Sequence, residues 1–192
     1  MGTDINFYID VDMSKDYGVP SDTPFYTENY INCILGDDIH VGRPYYLFHA
    51  LANERRRDNR DCLIKPRGFP EKASIEVISK YYFRVVDHDS EIKSAKDILR
   101  REAEKIAASS NEHHFRFSKL NKFSGKVYEL FSSPYALNCS YLYHNEILES
   151  LSYFGIKMEE TPRPFQLITA IMASADKVYG DQRSRMVFWF DY

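Results

Sequence analysis

The sequence predicts an α+β fold in which the first and last segments of the chain are strands of one mainly antiparallel sheet, with several helices between them. Two observations support this prediction. Residues Asp4–Asp12 alternate between apolar and polar side chains, which is the period of a strand with one buried face. Residues Arg185–Asp191 are dense in Val, Phe and Trp, which favour strands. Since the 192 residues contain no internal repeat or linker, we expect a single domain over residues 1–192.

The opening strand presents a row of acidic side chains on its polar face. Asp4, Asp10 and Asp12 stand at even spacing and therefore share one side of the strand with Asn6 and Tyr8. Carboxylates arranged in this way can hold Mg²⁺ or Mn²⁺. The same pattern is also typical of a solvent-facing sheet surface whose charges keep the protein soluble. The sequence leaves both interpretations open.

Apolar residues at helical spacing predict several helices between the two strands. Ser94 followed by Asp97 indicates a helix start of the capping-box type, while Gly155 and Gly180 are expected helix ends. Pro164 is expected at the first position of the last helix. The predicted helices are Tyr45–Arg57, Ser74–Phe83, a segment that begins after Ser94, Tyr141–Phe154 and a segment from Pro164 to Gly180.

The connections are predicted from Pro, Gly and polar residues. Lys15–Pro24 and Asp58–Pro70 are expected to be loops, and Ser109–Ser124 to be a connection with one strand. The last helix is expected to bury one apolar stripe, made of Leu167, Ile168, Ile171, Met172, Ala175 and Val178.

Composition and charge narrow the possible partners. The chain has 25 Lys and Arg against 28 Asp and Glu, a net charge of -3, which argues against general nucleic-acid binding. No apolar run approaches the roughly 20 residues of a membrane helix, and the first residues carry acids rather than a basic leader. The three cysteines, at irregular spacing, are expected to be free thiols. We therefore expect a cytoplasmic protein without a membrane partner.

A basic cluster lies between residues 54 and 67. Arginine side chains match phosphate and carboxylate groups with two parallel hydrogen bonds, so this cluster could grip an anionic ligand or an acidic partner. Alternatively, the interleaved acids Glu54, Asp58 and Asp61 form salt bridges with it at helical spacing. Two prolines and a glycine in Lys65–Pro70 predict a rigid turn that presents Arg67. The basic residues are Arg55, Arg56, Arg57, Arg60, Lys65 and Arg67.

Histidine and enzyme motifs give a weaker signal. Asp87, His88 and Asp89 place carboxylates and an imidazole together, which suits a divalent metal ion or acid–base chemistry. A surface or cap-supporting role is the other interpretation of His88, and the one that its position favours. His144-Asn145-Glu146 lacks the Pro-Cys-x-x-Cys that a zinc deaminase needs. No phosphate-binding glycine loop and no nucleophile elbow is present. These absences favour a binding protein over an enzyme.

Four short segments stand in order along the chain at Met1–Asn6, Gly42–Ala52, Lys65–Pro70 and Arg185–Asp191, and Asp87–Ile92 stands just before Ser94. The four segments resemble a family of uncharacterised phage and bacterial proteins that begin Met-Gly-Cys-Asp-Ile-His, and Asp87–Ile92 corresponds to a Gly-His-Ser-His-Ser-Trp element of that family. The resemblance implies a phage association and places Asp4, Arg43, Arg67 and His88 in the family's motifs. Two histidines of those motifs are Asn6 and Ser90 here. The remaining set of Asp4, Asn6, Asp87 and His88 would at best hold a weakly bound Mg²⁺ or Mn²⁺.

The sequence therefore leads to two main hypotheses and one minor one. The first is a phage-encoded accessory protein that acts in the host cytoplasm by binding, either inhibiting a host defence protein or sequestering its phosphorylated signal. Its 15 Tyr and 13 Phe suit such a role, because aromatic residues are favoured at interfaces. The candidate binding residues are Arg43, Arg56, Arg60, Lys65, Arg67, Asp4 and His88.

The alternative is a divalent-metal-dependent hydrolase or nuclease, in which a metal-bound water is the nucleophile. Its candidate ligands are Asp4 and His88 with Asp87 or Asp10, and Mg²⁺ or Mn²⁺ is its only expected cofactor. The binding hypothesis needs no cofactor. A virion or assembly component is the third possibility, and the sequence makes no prediction of the oligomeric state.

Overall fold

The computed structural model describes residues 2–13, 30–34, 41–56, 58–109, 117–121, 127–133 and 135–191, and for 30–34, 117–121 and 127–128 it describes the backbone alone. The strands are β1 (Asp4–Asp12), β2 (Tyr30–Ile34), β3 (Tyr82–Val86), β4 (Asp97–Leu99), β5 (Phe117–Asn121), β6 (Val127–Ser132), β7 (Leu137–Tyr143) and β8 (Ser184–Asp191). The helices are α1 (Tyr45–Ala52), α2 (Ile75–Tyr81), α3 (Arg100–Ser109), α4 (His144–Tyr153) and α5 (Arg163–Tyr179). Single 3₁₀ turns lie at Asp89–Glu91 and Met158–Glu160.

The first and last strands pair, as the sequence predicts. β1 and β8 run antiparallel, with Asp4 opposite Asp191 and Tyr8 opposite Val187. They form the centre of a four-stranded sheet in the order β2-β1-β8-β7. The α+β prediction with terminal strands in one mainly antiparallel sheet is confirmed.

Both faces of this sheet are buried, contrary to the expected polar outer face. Phe7 and Phe188 pack on one side against α1, α4 and α5, and the expected apolar face is therefore correct. On the other side Tyr8 stacks on Trp189, with ring centroids 5.0 Å apart, and both rings are buried. Because β1 lies between two neighbouring strands and two cores, an alternating pattern alone underestimates its burial.

A second sheet, in the order β4-β3-β6-β5, is absent from the sequence-based prediction. β3 pairs with β4 in parallel, with Arg84 opposite Asp97, and with β6 in antiparallel orientation. Tyr82 and Leu130 of this sheet share a core with Tyr8 and Trp189 of the first sheet. This shared core holds the two sheets together.

The first helix is shorter than predicted. α1 ends at Ala52 rather than Arg57, because Asn53 adopts the left-handed conformation with φ 59°. Asn tolerates this conformation better than most residues, since its side chain makes local hydrogen bonds. Its Oδ1 accepts a hydrogen bond from the backbone nitrogen of Cys62, which draws the following loop back onto the helix end. Residues 58–70 contain neither helix nor strand, as predicted.

Three predicted helices contain strand residues. Tyr82 and Phe83 belong to β3, so α2 ends at Tyr81. Asp97–Leu99 is strand β4, and α3 begins only at Arg100. Residues 141–143 complete β7, and α4 begins at His144 and ends before Gly155, as expected. In each case, apolar residues suitable for a helix pair with a neighbouring strand that local periodicity does not reveal.

The last helix runs from Arg163 to Tyr179 and ends at Gly180, close to the prediction, with Pro164 second rather than first. The buried face of this helix differs from the predicted apolar stripe. Ile168 and Met172 are buried as predicted, but Leu167 and Val178 are 53% and 73% exposed. The core-facing side is completed by Phe165 and Thr169 instead.

The remaining expectations concern loops and cysteines. The predicted loop Lys15–Pro24 and the thiol of Cys33 lie outside the described residues, and the strand expected within Ser109–Ser124 is β5. Cys62 and Cys139 are free, as expected, and both are buried. In the described part of the chain, no helix has the length and apolarity needed to cross a membrane.

Candidate functional site

The acidic residues of β1 do not converge on one point, because each lies beside a different arginine. Asp4 accepts two hydrogen bonds from Arg43, at 2.8 and 2.9 Å. Asp12 lies 3.1 Å from the guanidinium of Arg183. The positive charge beside these carboxylates is therefore supplied by arginines. The three carboxylates do not form the shared metal site that was predicted for this face of the strand.

Asp10 is completely buried rather than solvent-facing. It accepts hydrogen bonds from the backbone nitrogen and the hydroxyl of Ser74, at 3.1 and 2.7 Å, and lies 3.4 Å from Arg185. Burial raises the pKa of the Asp10 carboxyl, while Arg185 and Ser74 act in the opposite direction. Asp10 therefore anchors the start of α2 to β1 and is not accessible as a metal ligand.

The Asp87-His88-Asp89 segment forms the turn after β3. Asp87 accepts a 2.6 Å hydrogen bond from Nε of Arg100, and Nη2 of the same arginine donates to Glu129 at 2.7 Å. The Arg100 guanidinium holds the pKa of Asp87 below its ordinary value. His88 is exposed, and its carbonyl begins the 3₁₀ turn by accepting from the backbone nitrogen of Glu91. Asp89 makes a surface contact with Arg101 at 3.5 Å.

The structure does not gather the predicted metal ligands into one cluster. Asp4 begins β1 in the first sheet, whereas Asp87 and His88 follow β3 in the second sheet. Across the described residues, no group of three or more His, Cys, Asp or Glu side chains is placed to hold a metal ion. Asn6 donates a 2.6 Å hydrogen bond to Asp191 and is engaged there.

The basic cluster lies in a loop rather than on a helix, and acids close to it in sequence pair with it. Arg56 contacts Asp61 at 2.6 Å, and Arg60 contacts Asp58 at 2.8 Å. Arg60 also lies over the ring of Phe154, 4.7 Å from its centroid. The salt-bridge interpretation of this cluster is therefore correct for these pairs, although α1 ends before them.

Arg67 forms an ion pair with a carboxylate of the same chain. Its guanidinium donates two hydrogen bonds to Glu146 of α4, at 2.9 and 2.5 Å, and lies 5.3 Å from the centroid of Tyr141. The pair with Glu146 raises the pKa of Arg67. The backbone nitrogen of Gly68 donates to the carbonyl of Cys139, so the turn covers the free edge of β7. Arg67 thus pins this turn to the edge of the sheet.

The two thiols that the structure describes, Cys62 and Cys139, are poor nucleophile candidates. Burial raises the pKa of both Cys62 and Cys139, and Cys62 also donates a hydrogen bond to the carbonyl of Ile64 at 3.0 Å. A thiol kept protonated in this way behaves as a small hydrophobic residue rather than as a reactive group.

A cavity of about 430 Å³ lies outside the sites that the sequence predicts, between α2 and the second sheet. Its size is within the usual range of small-molecule sites. It is open to solvent and has both apolar and basic lining residues. These are Ile75, Ile78, Ser79, Tyr82, Arg84, Lys93, Ser94, Lys96, Asp97 and Leu130.

Asp97 organises the basic side of this cavity. It accepts hydrogen bonds from Arg84 at 2.8 and 2.6 Å, and from the backbone nitrogens of Lys93 and Ser94 at 2.8 and 3.1 Å. Burial alone would raise the pKa of Asp97, but these bonds hold it below its ordinary value of 3.8. The carboxylate therefore stays ionised and fixes the turn that carries Lys93 and Lys96.

The ammonium group of Lys96 is also held in place. It donates to the carbonyl of Lys80 at 2.6 Å and lies 5.0 Å from the ring centroid of Phe83. Sequence reasoning missed this cavity because it assigned residues 94–97 to a helix start. The sequence signal that could have pointed to it is the set of four basic residues, Lys80, Arg84, Lys93 and Lys96, between positions 80 and 96.

Comparison with models of protein families, with curated proteins and with solved structures finds no significant match to this chain. The phage and bacterial family resemblance therefore stays a prediction.

Proposed function

We propose that this chain is a phage-encoded accessory protein that acts in the host cytoplasm by binding, and that it sequesters a phosphorylated small molecule on which a host defence system depends. The phage setting is supported by the resemblance of four sequence segments. The binding mode is supported by one structural observation: the carboxylates needed for metal-dependent hydrolysis are already engaged by arginines, including Asp4 by Arg43 and Asp87 by Arg100.

This observation disfavours the hydrolase alternative for a physical reason. A divalent cation entering at Asp4 or Asp87 would have to displace a guanidinium group that donates hydrogen bonds of 2.6–2.9 Å. The displaced arginine would then stay beside the cation, where like charges repel. Metal sites instead bring several carboxylates together, so that the cation is the main counter-charge.

A small anionic ligand is a better match to the described surface than a large acidic protein. The arginines of the basic loop are largely paired with Asp58, Asp61 and Glu146, so that surface offers little unbalanced charge. The cavity beside α2 combines a defined volume with Arg84, Lys93 and Lys96. The alternative to sequestration is that the exposed surface binds and inhibits a host protein, and the following experiment detects this outcome as well.

The test is native mass spectrometry on untagged protein recovered from its host cell, compared with its denatured mass. We expect an excess mass equal to that of a phosphorylated small molecule, lost on denaturation. A bound host protein would instead support inhibition by protein contact. Hydrolysis of a phosphodiester that requires Mn²⁺ or Mg²⁺ and disappears in Asp4→Asn would overturn the binding proposal.

A further inference from the structure

The cavity beside α2 has one apolar wall that is rigidly built. Ile78 of α2, Tyr82 of β3 and Leu130 of β6 border it and belong to the core shared by the two sheets. They are only 2%, 5% and 6% exposed, so their positions are fixed by packing on their other sides. Ile75 extends this wall to the surface and is half-buried. The wall is therefore rigid, and Ile75 supplies most of the apolar surface that a ligand can contact.

The basic side of the cavity is contributed by a separate part of the chain. Arg84 lies on β3, and Lys93 and Lys96 lie on the turn that leads into β4. Asp97 is the one carboxylate among the described lining residues, and its charge is matched by Arg84. Lys93 and Lys96 add positive charge to this side of the cavity, and both are exposed. Lys96 also interacts electrostatically with the carboxylate of Asp191 on β8, so Lys93 is the main basic group that a ligand meets here.

The two unlike sides define the ligand that the cavity fits. A phosphate group placed at the lysines gains favourable charge interactions, and an apolar ring placed against Ile75 and Ile78 is removed from water. A ligand with only one of these parts would use only one side. The separation of charge and apolar surface thus points to a molecule that carries a phosphate at one end and a flat ring at the other.

We propose that this cavity binds a phosphorylated small molecule of the nucleotide class, with its phosphate at Lys93 and Lys96 and its base against the apolar wall of Ile75, Ile78 and Leu130. The proposal rests on the proposed binding function and specifies its site and ligand chemistry.

The test is isothermal titration calorimetry of the full chain with the four common nucleoside monophosphates, the corresponding nucleosides and inorganic phosphate. We expect at least one monophosphate to bind with a Kd about tenfold or more below that of its nucleoside and of phosphate. Lys93→Glu should weaken that binding by about tenfold or more, because it reverses a charge at the phosphate end. Lys105→Glu is the matched control, since Lys105 is an exposed lysine on α3 that does not border the cavity.

A second variant tests the apolar wall. Ile75→Ala should weaken binding of the monophosphate and of its nucleoside several-fold while leaving binding of inorganic phosphate unchanged, because only the ring loses contact area. Circular dichroism and the thermal midpoint of each variant establish that it is folded. Equal binding of inorganic phosphate and of the monophosphates would overturn the nucleotide assignment and leave sequestration of an anion standing.

Two further outcomes separate this proposal from the proposed function. Loss of binding in Lys65→Glu but not in Lys93→Glu would move the site to the basic loop and overturn the cavity assignment. If no monophosphate binds while the protein recovered from the host carries another phosphorylated compound, the ligand class is wrong and the binding function stands. If no monophosphate binds and the protein recovered from the host carries no phosphorylated compound, both proposals fail.

Discussion

The Asp10 carboxylate of β1 accepts two hydrogen bonds from Ser74, one from its backbone nitrogen at 3.1 Å and one from its hydroxyl at 2.7 Å. Ser74 caps α2, and its hydroxyl oxygen also accepts from the backbone nitrogen of Val77. The central strand of the first sheet therefore fixes the helix that forms one wall of the cavity. Asp10, which the strand periodicity predicts as a metal ligand, therefore has a structural role instead.

The first prediction concerns Asp10. Asp10→Ala should lower the free energy of unfolding by about 3–5 kcal/mol, because it leaves the buried Arg185 guanidinium without this counter-charge and removes the partner of Ser74. Urea unfolding followed by circular dichroism measures the change. Asp89→Ala is the control, since Asp89 is exposed and should shift stability by less than about 0.5 kcal/mol. Similar small changes in both variants would contradict this role of Asp10.

The second prediction concerns the pair of Arg67 and Glu146. Arg67→Glu should cost about 1–2 kcal/mol of stability, since it breaks a two-bond ion pair whose side chains are only 32% and 16% exposed. Adding Glu146→Arg should recover part of this loss. A thermodynamic cycle over the single and double variants yields the coupling energy. Normal stability combined with lost ligand binding in Arg67→Glu would show that Arg67 is a ligand-binding residue rather than an anchor.

The third prediction concerns the end of α1. Asn53 has φ 59° and accepts a hydrogen bond from Cys62 through its side chain. Both Asn53→Ala and Asn53→Gly lose this bond, but only alanine also bears the cost of the left-handed conformation. We therefore expect Asn53→Ala to be less stable than Asn53→Gly by about 1 kcal/mol in chemical denaturation. Equal stabilities would mean that the helix end relaxes to another conformation.

The fourth prediction concerns acid stability. The pKa of Asp97 is lower in the folded protein than its ordinary value of 3.8, so the unfolded chain binds its proton more readily. Its stabilising contribution is therefore present above about pH 4 and is lost as the pH falls through the folded pKa. In Asp97→Asn, the free energy of unfolding should be lower at neutral pH and should fall less steeply below pH 4. Urea titrations over a pH series measure both slopes, and parallel curves for wild type and variant would contradict the assignment.

The fold was predictable from sequence where one element has a strong pattern of its own. Asp4–Asp12 and the C-terminal strand alternate or concentrate β-forming residues over eight or more positions, and their pairing follows. The second sheet was not predictable in this way. β4 is only three residues long, and β3 follows α2 without a break, so local periodicity merges both into helices.

The candidate site shows the same limit. Sequence reasoning identified which residues carry charge, including Asp4, Arg43 and Arg67, and it offered local salt bridges for the basic cluster. It did not identify the partners that lie far away along the chain. The partners of Arg43 and Arg67 are separated from them by 39 and 79 residues. The cavity depends on a parallel pairing of β3 with β4, which places Arg84 beside Asp97. Such contacts arise only once the chain has folded.

The most direct test of the binding account compares three proteins recovered from the same host cell by native mass spectrometry: the wild type, Lys93→Glu and Lys105→Glu. The account predicts that the wild type and Lys105→Glu carry the same phosphorylated small molecule, and that Lys93→Glu carries none. Equal loading of all three proteins, or a bare wild-type chain that hydrolyses a phosphodiester with Mn²⁺, would contradict it.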